Sequence, residues 1–130
     1  MGQQQLLLIV LGVIIVGIAV VVGINLFNAN ATNANRDGVI SDLNNLGAMA
    51  QQFYKKPTSM GGGGNSFTGG TGWTIPTGLD STANGTYSAA PADQTVLITG
   101  IGTEIGDDGS TEVSALCTVT PQTIVCNVTN

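Results

Sequence analysis

MGQQQLLLIVLGVIIVGIAVVVGINLF, residues 1–27, decides how the rest of the chain reads. From Leu6 to Ile24 its nineteen residues are Leu, Ile, Val, Ala or Gly without exception. As an α-helix they rise about 28 Å, close to the hydrocarbon thickness of a bilayer. A secretory signal peptide has a basic n-region and a shorter apolar core. Here no Lys or Arg precedes Arg36, and the apolar run is too long. The orienting charges and interfacial Trp or Tyr usual at the ends of a membrane helix are missing as well. An apolar helix with no polar face must be surrounded by lipid or by protein. The segment therefore belongs in a bilayer, or at the centre of a bundle of identical helices.

Its continuation is polar but not helix-breaking: NLFNANATNAN, residues 25–35, contains no proline. Beyond it Val39, Leu43, Leu46, Ala50 and Phe53 recur at alternating steps of four and three, with Ile40 and Met49 beside them. That spacing is the stripe of an amphipathic helix. Lys55 and Lys56 suit a helix C-terminus, and Pro57 forces the stop. One helix over about residues 3–55 is expected, roughly 80 Å long at 1.5 Å per residue. Gly12, Gly17 and Gly23 are its only weak points, at about 1 kcal/mol each relative to Ala. Local unwinding there, or close packing of helices against the bare backbone, are the two readings of these glycines.

Composition narrows the function. With 3 Lys+Arg against 8 Asp+Glu the net charge is −5, so the chain lacks the basic footprint of a nucleic-acid binder. It contains no histidine, and its two cysteines are Cys117 and Cys126. Two Cys without His do not make a structural zinc site. No nucleophile–base pair or carboxylate dyad can be assembled either, so the reading is non-catalytic, with no cofactor and no metal.

After Pro57 seven glycines between Gly61 and Gly72 exclude a regular element. The segment lacks the Lys-Ser/Thr and strand–loop–helix context of a phosphate loop. It reads as a connection pinned by Phe67, Trp73 and Ile75. Strand signals then accumulate in NGTYSA, QTVLITGIGTEI, STEVSALCTV and TIVCNV. At Asp107-Asp108-Gly109 a three-residue loop would put Gly109 in the left-handed position of a bulged turn. That register opposes Thr103 to Val113, Ile101 to Ala115 and Leu97 to Val119. Leu97, Ile101, Ile105, Val113, Ala115, Cys117 and Val119 would then share the core face. Proline does not fit a tight primed turn, so a four-residue loop is expected at Thr120–Thr123. This places Cys117 opposite Cys126, on the apolar face with Val119, Ile124 and Val128. The two are then a disulfide, or else two reduced core residues. Glu104, Asp107, Asp108 and Glu112 gather at one hairpin; a solvated acidic tip is the plain reading, and a calcium site the sharper one.

The fold class that emerges is α+β: a long N-terminal helix packed by its C-terminal half against a small antiparallel meander. The divisions are residues 1–27 (apolar helix half), 28–56 (amphipathic half), 57–83 (Gly-rich connection) and 84–130 (sheet with the disulfide hairpin).

This order resembles the type IV pilin family of bacteria. The resemblance rests on MGQQQLLLIVLGVIIVGIAVVV, DLNNLGAMAQQFYKKP, the GWTIP of the connecting loop and the terminal CTVTPQTIVC. It implies a structural subunit that waits in the inner membrane and is then polymerised into an extracellular filament. The filament core would comprise Met1, Gln5, Leu6, Leu7, Leu8, Ile9, Val10, Leu11, Val13, Ile14, Ile15, Val16 and Ile18. The partners implied are further copies of the chain and a membrane assembly machinery of ATPase, platform protein and secretin. The family carries glutamate at the fifth mature position. If Met1 is the first mature residue, Gln5 stands there, able to hydrogen-bond a neighbour's N-terminal amine but not to form a salt bridge. If Gly2 is the residue before the processing cut, the chain starts at Gln3 and Leu7 is fifth. A type II secretion pseudopilin and a membrane-anchored β domain that never polymerises are the alternatives.

Overall fold

The computed structural model describes residues 2–130. Helix α1 runs Gly2–Lys55. A single 3₁₀ turn, Thr58–Met60, and five strands follow: β1 (Ser81–Thr82), β2 (Gly85–Pro91), β3 (Val96–Ile105), β4 (Glu112–Val119) and β5 (Ile124–Val128). The strands form one antiparallel sheet in the order β1-β2-β3-β4-β5. The chain divides into two compact units, one ending at Ala31 and one running Thr32–Asn130.

In the second unit the expected stripe is the buried face of the helix. Val39, Leu43, Leu46 and Ala50 are buried, with Ile40 and Phe53 partly so. They meet Val96, Ile98, Ala115, Cys117 and Val119 from the sheet and Phe67 and Trp73 from the connection. Full burial of side chains of this size contributes about 1.5–3 kcal/mol each. Met49, beside the stripe, stays exposed.

The helix stops at Lys55, and the glycine-rich connection folds back over its end. Gly63 N–H donates to Phe53 O at 2.8 Å, Asn65 N–H to Tyr54 O at 2.8 Å and Gly64 N–H to Lys56 O at 2.9 Å. Carbonyls that every helix leaves without a partner in its last turn are thereby satisfied. Phe67 is anchored beneath, its N–H donating to Asp93 O and its ring centroid 4.9 Å from that of Tyr54.

The β4–β5 hairpin has the expected four-residue loop: Val119 faces Ile124, and Cys117 faces Cys126. The two cysteines are disulfide-bonded, with Cα atoms 4.0 Å apart. Closing so short a loop contributes about 2–3 kcal/mol by chain entropy. Val128 lies on the expected face, opposite Ala115, but on the edge strand it stays 45% exposed.

The β3–β4 register differs from the expectation. Ile101 faces Ser114 and Leu97 faces Thr118, a shift of one residue; the ladder then slips between Ile101 and Ile105, which faces Glu112. Sliding by one exchanges the faces of a strand. Val96, Ile98, Gly100 and Gly102 therefore point to the helix, whereas Leu97, Ile101 and Ile105 are exposed. The cause is steric. A Cβ on Gly100 would press on Val39 and Tyr87, and one on Gly102 would overlap the Asn35 side chain. Only glycine allows the helix to approach there. The turn itself keeps its expected left-handed Gly109, at φ 73°. Its loop is longer than three residues, since Gly106 N–H donates to Thr111 O.

Candidate assembly and membrane segment

In the unit that ends at Ala31, residues 6–24 supply only aliphatic side chains and glycine on every side of the helix, and among the described residues none of these is buried. Leu6, Leu7, Leu8, Ile9, Val10, Leu11, Val13, Ile14, Ile15, Val16 and Ile18 are each between 52% and 69% exposed. Neighbouring turns of the same helix account for the remainder. Among the described residues this is the one helix long and apolar enough to cross a membrane, and none of its apolar window is buried. Gly2 and Gln5 lie within the helix, both exposed; Met1, the other residue expected in the assembly core, lies outside the described residues. Gly12, Gly17 and Gly23 interrupt neither the helix nor its surface, and a Cβ on any of them would enter open space. They leave three notches in an otherwise bulky aliphatic surface.

In the second unit the polar groups join helix to sheet. Asp42 Oδ2 accepts hydrogen bonds from Tyr87 OH at 2.6 Å, Thr82 Oγ1 at 2.9 Å and Asn84 Nδ2 at 3.1 Å. Burial opposes ionisation of Asp42, but the Tyr87, Asn84 and Thr82 donors outweigh it and hold the carboxyl below the usual carboxylate range. The same burial, with the Asp42 carboxylate alongside, drives the Tyr87 phenol well above its ordinary value. An adjoining groove of about 290 Å³ is lined by Asn45, Leu46, Met49, Gln52, Leu79 and Thr82, with Asp42 its only titratable group.

The signs of the two shifts define a pH window. Asp42, depressed in the folded state, stabilises above the unfolded carboxylate pKa, and this contribution is lost as pH falls through its lowered folded value. Tyr87, raised, favours the folded state up to the unfolded phenol pKa near 10; the preference is lost as pH rises beyond it. Stability is accordingly expected to be flat through neutrality and to fall at both ends. Asp42→Asn should flatten the acid limb and Tyr87→Phe the alkaline limb. Urea unfolding at a series of pH values, followed by Trp73 fluorescence, checks both; limbs unchanged in the variants would refute the assignment.

At the acidic hairpin Asp107 and Asp108 are engaged, one by the helix and one by the turn. Asp107 pairs with Arg36 at 2.9 Å, an exposed ion pair of the kind worth about 0–1 kcal/mol. Asp108 accepts from the Thr111 hydroxyl and from the N–H groups of Ser110 and Thr111, which hold its carboxyl far below the usual range. Among the described residues no group of three His, Cys, Asp or Glu is disposed to hold a metal.

One polar residue that matters was not visible in the sequence. Asn35, 8% exposed, donates through Nδ2 to Asn84 O at 2.7 Å and to Thr103 Oγ1 at 3.2 Å. Its Oδ1 accepts from Thr103 N–H at 3.0 Å and Glu104 N–H at 3.3 Å. It thus satisfies backbone groups freed where the β3–β4 ladder slips. Its place, four residues before Val39 on the same helical face, was the one signal available. Similarly, nothing in the apolar spacing marks Tyr87 as the partner of Asp42. No family model, curated protein or solved structure matches the chain.

Proposed function

We propose that the chain is the structural subunit of an extracellular type IV pilus-like filament, held in a membrane by residues 6–24 until it polymerises. One observation carries the reading: an aliphatic helix surface exposed on all sides, in a chain whose core residues all lie beyond Ala31. Copies of such a helix hide their surface in water only by surrounding one another. Even half of the usual 1.5–3 kcal/mol or so per side chain, summed over this segment, matches or exceeds the roughly 4–15 kcal/mol lost on association. Repeated contacts that do not close into a ring extend as a filament. The disulfide hairpin suits an oxidising exterior. The occupied carboxylates at Asp107 and Asp108 favour this reading over a calcium-dependent secretion pseudopilin.

Shearing of producing cells, negative-stain microscopy and mass spectrometry of the sheared material test the proposal. Thin filaments composed of this chain, with Cys117 and Cys126 joined, are expected. Recovery of the chain only as a membrane-bound monomer would overturn polymerisation and leave an anchored β domain. The N-terminal mass decides whether the subunit starts at Met1 or Gln3.

A further inference from the structure

We infer that β5 is a self-association edge, through which two copies of the sheet domain join antiparallel into one continuous sheet. The inference does not rest on polymerisation through residues 6–24.

The two edges of the sheet differ. β1 is two residues long, follows Asp80, and its Thr82 is tied to Asp42. That edge is blunted, as short and charged edges are. β5 is five residues, Ile-Val-Cys-Asn-Val, with no charge, no proline and a regular register along β4. Such an edge is a template for a further strand.

The phase of its ladder shows which groups remain open. Thr120 N–H donates to Thr123 O, and Thr129 N–H donates to Ser114 O. Val125 and Asn127 therefore bond toward β4, while Ile124, Cys126 and Val128 direct N–H and C=O away from it. A two-fold axis at Cys126 pairs Cys126 with Cys126 of the second copy, and Ile124 with Val128. Both are hydrogen-bonding pairs of the correct phase. Val125 then faces Asn127 across the junction.

Side chains favour the same occupant. Val128 is 45% exposed and Val125 54% exposed, one directed to each face of the sheet. In this register Val128 gains the half-buried Ile124 of the copy as its cross-strand neighbour. The flanking outer face also lacks charge: Leu97, Ile101, Leu116 and Thr118 continue it on β3 and β4. For a chain of net charge −5, contact between copies is least costly where neither presents a charge. An anionic lipid or nucleic acid finds no cation here, and a charged protein would lose hydration without a counter-charge.

Full-length chain in non-ionic detergent, examined by sedimentation equilibrium, tests the inference. Wild type is expected to form dimers. Val125→Lys combined with Asn127→Lys sets like charges opposite one another twice and should weaken the dimer about tenfold or more. Val125→Glu with Asn127→Glu should weaken it similarly, and an equimolar mixture of the two double variants should restore association. Thermal unfolding of each variant checks that the domain remains folded. A monomeric wild type, dimers that persist in both double variants, or a mixture of folded variants that stays monomeric would overturn it. Should either charge pair prevent folding, oxidation of a mixture of Val125→Cys and Asn127→Cys chains replaces it. A 125–127 cross-link supports the register, and its absence refutes it.

Discussion

Replacing Asn35 with alanine is expected to lower the unfolding free energy by about 2–3 kcal/mol. The side chain leaves two backbone N–H groups, those of Thr103 and Glu104, without their acceptor, and Asn84 O without its donor. Water reaches Thr103 and Glu104, both exposed, and keeps the cost below the sum of the separate desolvation penalties. Asn33→Ala, two residues earlier and exposed, should stay within about 0.5 kcal/mol of wild type. Asn35→Asp keeps the acceptor but loses both Nδ2 donations and sets a buried carboxylate oxygen against Asn84 O, so it is expected to cost at least as much as alanine. Gly102 belongs to the same joint. Gly102→Ala places a Cβ on Asn35 Oδ1 and beside Val113. The double variant Asn35→Ala/Gly102→Ala is then expected to cost less than the sum of the singles. Denaturant unfolding in detergent measures all five. An alanine at 35 that costs under 0.5 kcal/mol or so would show the contact to be incidental.

That joint also explains which parts of the fold were legible beforehand. The stripe Val39–Leu43–Leu46–Ala50 could be read because one helix face meets one sheet face, and the period records it. Pro57 marks the stop by chemistry that no packing can override. The Thr120–Thr123 loop fixes the disulfide pairing because proline limits the choice of turn. β3 could not be read in the same way. Its bulky residues, Leu97, Ile101 and Ile105, look like a core face, and its glycines like weak points. The glycines in fact face the helix because the backbone must come close, and the aliphatics lie outside. A strand pattern counts apolar residues but not the room available to them. The slip between Ile101 and Ile105 has no sequence signature, and Asn35, which satisfies it, sits in a run of Asn and Ala that resembles filler. In the segment 6–24, by contrast, residue type alone specified an all-round apolar helix, and what surrounds it is a question about other molecules.

Lysine at Ile14 puts that question directly, with the largest functional effect expected of any substitution in the chain. Ile14 lies near the middle of Leu6–Ile24, about 12 Å or more along the helix from either end at 1.5 Å per residue. A lysine stem cannot carry its ammonium that far to water, so the charge stays in the apolar layer. On insertion scales this costs about 2.5–3.5 kcal/mol, a factor on the order of 100 in partition. In a bundle of identical helices every copy brings the same charge to the centre, and the penalty recurs at each contact. Ile14→Lys is therefore expected to deplete the membrane fraction strongly and to abolish sheared filaments. Phe27→Lys supplies the control: it changes a still more exposed apolar residue, 77% accessible against 52% for Ile14, beyond the end of the aliphatic run. There the ammonium reaches the interface, and membrane retention should change by less than about threefold. Quantitative blotting of membrane and sheared fractions reads both variants. Depth dependence is the discriminating result, because a helix that only ever faced water would tolerate the two lysines equally. Equal retention of Ile14→Lys and wild type in both fractions would remove the segment from membrane and filament alike.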